Sequence, residues 1–179
     1  EGYWGALDSQ NHIIPNVAEL PFDAGEVSGL EKGTVFGGIL KANSKQSKFV
    51  LSIRASDVFE IYRVSDDGIN RVYVSPFKHI PKTRKKGGGH AIDYNQSIGG
   101  IKNIAVSDDL ICFSLFLQNY NEAAKTDFAS NELFCFDWDG NKVKKYVLPF
   151  PIGNFCIDGT HIYGVRNFED KIIIYRFNM

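Results

Sequence analysis

The amino-acid sequence predicts an all-β fold, and within that class a β-propeller of about three four-stranded antiparallel blades. Three observations carry the prediction. Strand-forming runs follow one another almost without interruption, the runs recur at a fixed spacing, and several are apolar on both faces.

Residues 49–53, 58–64 and 71–74 are short and rich in β-branched and aromatic residues, and turn clusters such as Ser65-Asp66-Asp67-Gly68 separate them. That is the composition of strands joined by hairpins. Residues 101–106, 110–117, 133–138 and 143–148 continue the pattern, and 155–157, 161–165 and 171–177 end it. Only residues 121–125 have helical composition, and so short a segment does not hold a helix by itself.

The repetition is the stronger signal. Residues 59–64, 133–138 and 172–177 share one apolar-aromatic pattern, and residues 101–112 match 152–163 without a gap. Leu20-Pro21-Phe22, Ser75-Pro76-Phe77 and Leu148-Pro149-Phe150 each end a strand pair. Four-stranded units recurring about every 40–50 residues are what a propeller blade looks like in sequence. Residues 58–64 and 110–117 carry apolar side chains on both faces, as expected of strands covered by a neighbouring blade on each side. The spacing places strands c and d of one blade in residues 1–22, complete blades in 33–77 and 98–150, and strands a to c in 152–179. Thirteen strands do not divide into whole blades, so the expectation is the C-terminal half of a longer propeller, with its closing strand elsewhere.

Composition excludes several functions. Twenty Lys and Arg against 21 Asp and Glu leave a net charge of -1, which argues against nucleic acid as a partner, because that affinity rests on excess positive charge. No apolar run approaches the roughly 20 residues of a membrane span. Cys112, Cys135 and Cys156 each lie in an apolar run and are read as unpaired, buried thiols. No Cys or His spacing suggests a metal, and no cofactor is implied; His12, His79, His90 and His161 are scattered. Asp66-Asp67, Asp108-Asp109, Asp139 and Asp158 recur in turn positions and are read as turn residues rather than catalytic acids.

Two long connections hold the candidate site. Residues 77–101 include His79, Lys82, Arg84, Lys85, Lys86, His90, Asp93 and Tyr94, and read either as a mobile basic loop for an anionic or glycan ligand or as a solvated insertion. Residues 118–131 include Asn119, Tyr120, Asn121, Glu122, Lys125, Asp127 and Phe128. Connections of these two kinds emerge on one face of a propeller, so the ligand-binding candidates are His79, Arg84, His90, Tyr94, Asn119 and Tyr120. Tyr3, Trp4, Tyr94 and Tyr120 are candidate stacking platforms. Lys41, Asn43, Lys102, Asn103 and Asn154 are candidates to face a central channel.

The stretch from Ser47 through Phe49-Val50-Leu51-Ser52-Ile53-Arg54 to Phe59-Glu60-Ile61-Tyr62, with Ile162-Tyr163-Gly164-Val165 and Lys171-Ile172-Ile173-Ile174-Tyr175, resembles the TolB-like six-bladed propeller proteins of Bacteroides, a family rich in lipoproteins. The resemblance covers about residues 33–179. It implies a six-bladed ring and an extracytoplasmic, lipid-anchored location, periplasmic or at the cell surface, and brings no catalytic motif. The function expected is a non-catalytic binding or scaffold module for a protein or glycan ligand, with self-association to complete the ring as a further reading. The alternative is a lyase or hydrolase acting on a glycan or lactone in the central channel.

Overall fold

The computed structural model describes residues 4–7, 13–45, 47–76, 78–169 and 171–179. Tyr3, His12 and the side chain of Trp4, singled out above, lie outside the described set. In chain order the elements are β1 (Trp4–Leu7), β2 (Ile13–Ala18), α1 (Gly29–Phe36), β3 (Gly37–Ala42), β4 (Lys48–Ile53), β5 (Phe59–Ser65) and β6 (Gly68–Val74). There follow β7 (Thr83–Lys86), β8 (Gly89–Ile92), β9 (Ile98–Val106), β10 (Ile111–Asn119), α2 (Tyr120–Ala124), β11 (Ser130–Phe136) and β12 (Lys142–Ile152). Last come β13 (Asn154–Ile157), β14 (His161–Phe168) and β15 (Lys171–Asn178).

These strands form two four-stranded antiparallel sheets, β3-β4-β5-β6 and β9-β10-β11-β12, a three-stranded sheet β13-β14-β15, and the pairs β1-β2 and β7-β8. In each larger sheet the first strand is an edge, and β9 packs beside both β3 and β13, so the first strands line up in succession. Pro149 lies in β12, at the other edge of its sheet, where a missing N–H costs no ladder bond.

The middle sheet is buried on both faces. Ile104, Ile111, Phe113 and Phe136 pack with Val50, Phe59 and Ile61 of the preceding sheet. Ala105, Cys112 and Cys135, the neighbours of those residues along the same strands, pack with Leu133 and with Phe155 and Ile162 of the following one. Alternate residues thus enter different cores, each large side chain contributing about 1.5–3 kcal/mol by leaving water. Polar ties join the sheets as well: Lys48 Nζ lies 3.0 Å from Asp139 Oδ1, and Ser44 donates to Asp108. Of the expected turn residues Asp158 closes its own turn, whereas in the turn at Asp139 the accepting carboxylate belongs to Asp137, two residues earlier. Asp137 Oδ1 accepts from the backbone N–H groups of Asp139 and Asn141 at 2.9 and 2.8 Å, and Asp158 Oδ1 from those of Thr160 and His161 at 2.8 and 2.7 Å. By contrast, β15 presents its outer edge without a partner strand among the described residues, with Ile172 and Ile174 74% and 69% exposed.

Four sequence expectations are corrected. Cys112 and Cys135 face each other across β10 and β11 and form a disulfide, 0% and 1% exposed; the apolar runs hid the pairing because antiparallel register, not sequence spacing, brings the two together. Cys156 is exposed rather than buried. The connection 77–101 is not a loose loop: Thr83–Lys86 and Gly89–Ile92 pair as a hairpin turning at Gly87 and Gly88, which raises the thirteen expected strands to fifteen among the described residues. Finally, residues 29–36 are helical. Their start is a capping arrangement in which the Glu31 carboxylate accepts from the backbone N–H and hydroxyl of Ser28 at 3.2 and 2.9 Å, and the apolar face, Val35 and Phe36, enters a core with Ile53, Val58 and Ile92.

Candidate functional site

Of the six candidate residues, the structure brings three together. Asn119, the residue before α2, donates through Nδ2 to the backbone carbonyl of Asn95 at 2.7 Å, and Asn121 Nδ2 reaches Asn95 Oδ1 at the same distance. The Tyr120 N–H donates to the carbonyl of Ser97 at 2.9 Å. These bonds bind the two long connections to each other and bring the Tyr94 and Tyr120 rings to 4.0 Å between centroids. The other three lie apart. His79 Nδ1 is 3.1 Å from Asp57 Oδ2, and the same carboxylate accepts from the backbone N–H groups of Lys78 and His79. His90 Nδ1 is 3.2 Å from Glu31 Oε2, docking the β7-β8 hairpin on α1. Arg84 stands exposed on β7. The four hydrogen bonds that Ser28 and His90 donate to Glu31, led by the Ser28 hydroxyl and the His90 ring, lower its pKa from 4.5 to about 2.

Tyr94 and Tyr120 border a cleft of about 360 Å³ between the first two four-stranded sheets. Its other walls are Gly37, Gly38 and Ile39 at the start of β3, Arg54 just past β4, and Gly99, Ile101 and Lys102 in β9. The floor depends on Gly100, whose φ is +71° and whose Cα lies so close to Ser56 that a Cβ would sit 2.5 Å from the Ser56 nitrogen. Only glycine permits that approach, and through it Gly100 bridges to Arg54 while the Ile101 N–H donates to Ser56 O at 3.1 Å. The electrostatics are one-sided. Arg54 and Lys102 both line the cleft, and among the described residues no carboxylate, histidine or cysteine does. The ammonium of Lys102 lies 4.2 Å from the Phe128 ring centroid and 5.9 Å from that of Tyr120, so aromatic faces hold it in place without neutralising it.

A second cleft of about 380 Å³ lies between the middle sheet and β13-β14. Thr126, Asp127 and Ala129 form one side, and Pro151, Gly153, Asn154, Val165, Arg166 and Asn167 the other. The segment from Asn119 to Ala129 is therefore a wall common to both clefts. Phe128 anchors it, packing with Phe116 and Ala123, and Asp127 and Phe128 carry φ of +51° and +53° where the chain reverses. The two clefts are built from equivalent strand positions. Gly37 pairs with Ile53, and Arg54 follows; Asn154 pairs with Val165, and Arg166 follows. Val50 and Ile162, four residues before each arginine, are both fully buried.

The candidate channel residues fall into different settings. Lys102 lines the first cleft and Asn154 the second, whereas Asn103 Nδ2 reaches the carbonyl of Phe155 at 3.4 Å. Asn43 holds its own turn by accepting from the N–H groups of Ser47 and Lys48, and Lys41 is exposed on β3. Sequence reasoning missed Arg54 and Arg166 as site residues. The signal was present in the matching segments Ser52-Ile53-Arg54 and Gly164-Val165-Arg166, each at or near the end of the second strand of its sheet.

Antiparallel four-stranded sheets set side by side along their first strands, with clefts at the junctions, make this a β-propeller module. The chain belongs to the TolB-like 6-blade propeller-like family, whose model matches residues 7–160. No curated protein matches it. Among solved structures, the crystal structure of Hsv2 from Kluyvelomyces marxianus is similar at 14% identity and a TM-score of 0.43, over 80% of this chain and 36% of that one. None of the described helices is long and apolar enough to cross a membrane.

Proposed function

We propose that this propeller module is a non-catalytic, extracytoplasmic binding protein that takes an anionic ligand in the first cleft. The observation that carries the proposal is the placement of Arg54 and Lys102 on a lining that holds no acidic side chain among the described residues. In a chain of net charge -1, two uncompensated cations in a cleft mark a local preference for negative charge. The same lining supports binding over catalysis, because it offers none of the carboxylates, imidazoles or thiols that usually serve as general base or nucleophile. Placement outside the cytoplasm is supported by the Cys112–Cys135 disulfide, a bond that persists mainly in oxidising compartments. The six-blade description of the family supports the wider reading of the chain as about half of a ring.

The test is calorimetry with small carboxylates and inorganic phosphate on the wild-type chain and on Arg54→Ala and Lys102→Met. The expected result is binding that weakens as salt rises and falls by roughly 10- to 100-fold in each variant, the range of one charge-assisted hydrogen bond. Anion binding that both variants retain in full would move the site away from this cleft.

A further inference from the structure

Resting on the reading of the first cleft as an anion site, we infer that the two clefts act together on an acidic oligosaccharide, with a uronic acid ring in the first and a neutral, hydroxyl-rich ring in the second. Their chemistry differs in the way such a ligand requires. The first combines two cations, Arg54 and Lys102, with the adjacent rings of Tyr94 and Tyr120. A carboxylate there meets a guanidinium fork and an ammonium, while the aromatic edge receives the apolar face of a sugar ring.

The second cleft holds Arg166, Asn154, Asn167, Thr126 and Asp127. This set contains a donor-only group, an acceptor-only group and three that do both. Sugar hydroxyls both donate and accept, so a mixed set satisfies them. Asp127 offsets the charge of Arg166 in the same lining, so the second cleft lacks the net positive charge with which the first favours a carboxylate. The segment 119–129 reaches both clefts, Tyr120 lining one and Thr126 and Asp127 the other. Sheets packed face to face stand about 10 Å apart, so clefts on the two flanks of the middle sheet fall within reach of a short oligosaccharide.

The experiment screens the full chain against an array of uronate-containing and neutral oligosaccharides, then measures calorimetry with glucuronic acid, cellobiose and cellobiouronic acid. Acidic oligosaccharides are expected on the array without their neutral counterparts. The acidic disaccharide is expected to bind roughly tenfold tighter than glucuronic acid, the worth of one good polar contact set, with cellobiose weakest. Arg166→Ala and Asn167→Ala then lower disaccharide affinity to that of glucuronic acid and leave glucuronic acid binding unchanged, while Arg54→Ala weakens both; thermal melts confirm that each variant is folded. If every acidic oligosaccharide binds no better than glucuronic acid and the two second-cleft variants change nothing, the two-cleft inference falls and the anion site stands. The two-cleft inference falls in the same way if phosphate or simple carboxylates bind through Arg54 but no uronate does. If no anion binds at all, both readings fall together.

Discussion

The two clefts flank the same sheet and are cut from the same strand positions, an arginine following the residue paired with the start of a first strand. Yet one is cationic and aromatic and the other is mixed and polar. What is repeated is backbone geometry, which follows from stacking equivalent sheets, and what differs is the side chains, some on strands, such as Lys102 of β9, and some brought by irregular connections. Tyr94, Tyr120, Thr126 and Asp127 all come from the long connections. A repeat architecture thus supplies recurring cavities, and the loops together with a few strand positions decide what each can hold.

Several measurements would break or sharpen that contrast. The largest effect is expected from Cys112→Ala/Cys135→Ala. The disulfide ties β10 to β11, the strands that carry the shared wall, across a separation of 23 residues, and its loss removes about 3 kcal/mol of stability by loop entropy. Denaturant melts should show that loss, and both clefts should weaken together because they share the wall.

Gly100→Ala should separate the clefts instead. The substitution forces a side chain into a left-handed conformation against the Ser56 backbone, at a cost of about 2 kcal/mol. Anion binding at the first cleft should fall, while Arg166 and Asn167 remain in place. Equal damage to both clefts would show that the middle sheet transmits the distortion.

A smaller change is expected from Tyr120→Ala, which removes ring contacts to Tyr94 and Phe128 worth about 1 kcal/mol. The melting temperature should drop modestly, and Lys102, left with Phe128 alone, should bind its anion less well.

The smallest effect concerns pH. Glu31 has a folded pKa of about 2 against an ordinary 4.5, so its stabilisation is complete above about pH 4.5 and is lost as pH falls towards 2. Hydrogen exchange should therefore show the β7-β8 hairpin loosening in that acidic window before the clefts are affected; Glu31→Gln should abolish the dependence.

Much of the architecture is legible in the sequence because it rests on repeated local patterns. The strand runs, the Asp-containing turns and the match of 101–112 with 152–163 all depend on neighbours in sequence. The meeting of Tyr94 with Asn119 and Tyr120 follows from the face on which the two connections emerge. His79, Arg84 and His90 do not belong with them, although the basic stretch that carries them looks unstructured in sequence. In fact Thr83–Lys86 and Gly89–Ile92 make a hairpin, and its histidine is taken by a helix whose capping carboxylate lies 59 residues away. The disulfide and the positions of Arg54 and Arg166 are hidden for one reason: each depends on inter-strand register, which single-chain patterns specify only weakly.

The open edge of β15 has a practical consequence. Its outward backbone groups lack a partner strand among the described residues, and Ile172 and Ile174 stand in solvent beside them. Such an edge is a template onto which another extended segment can add, and Lys171 and Arg176 are the charges that oppose stacking of identical copies. Handling of the protein in solution will therefore be governed as much by concentration and ionic strength as by temperature, with high salt promoting strand-to-strand aggregation by screening those two charges.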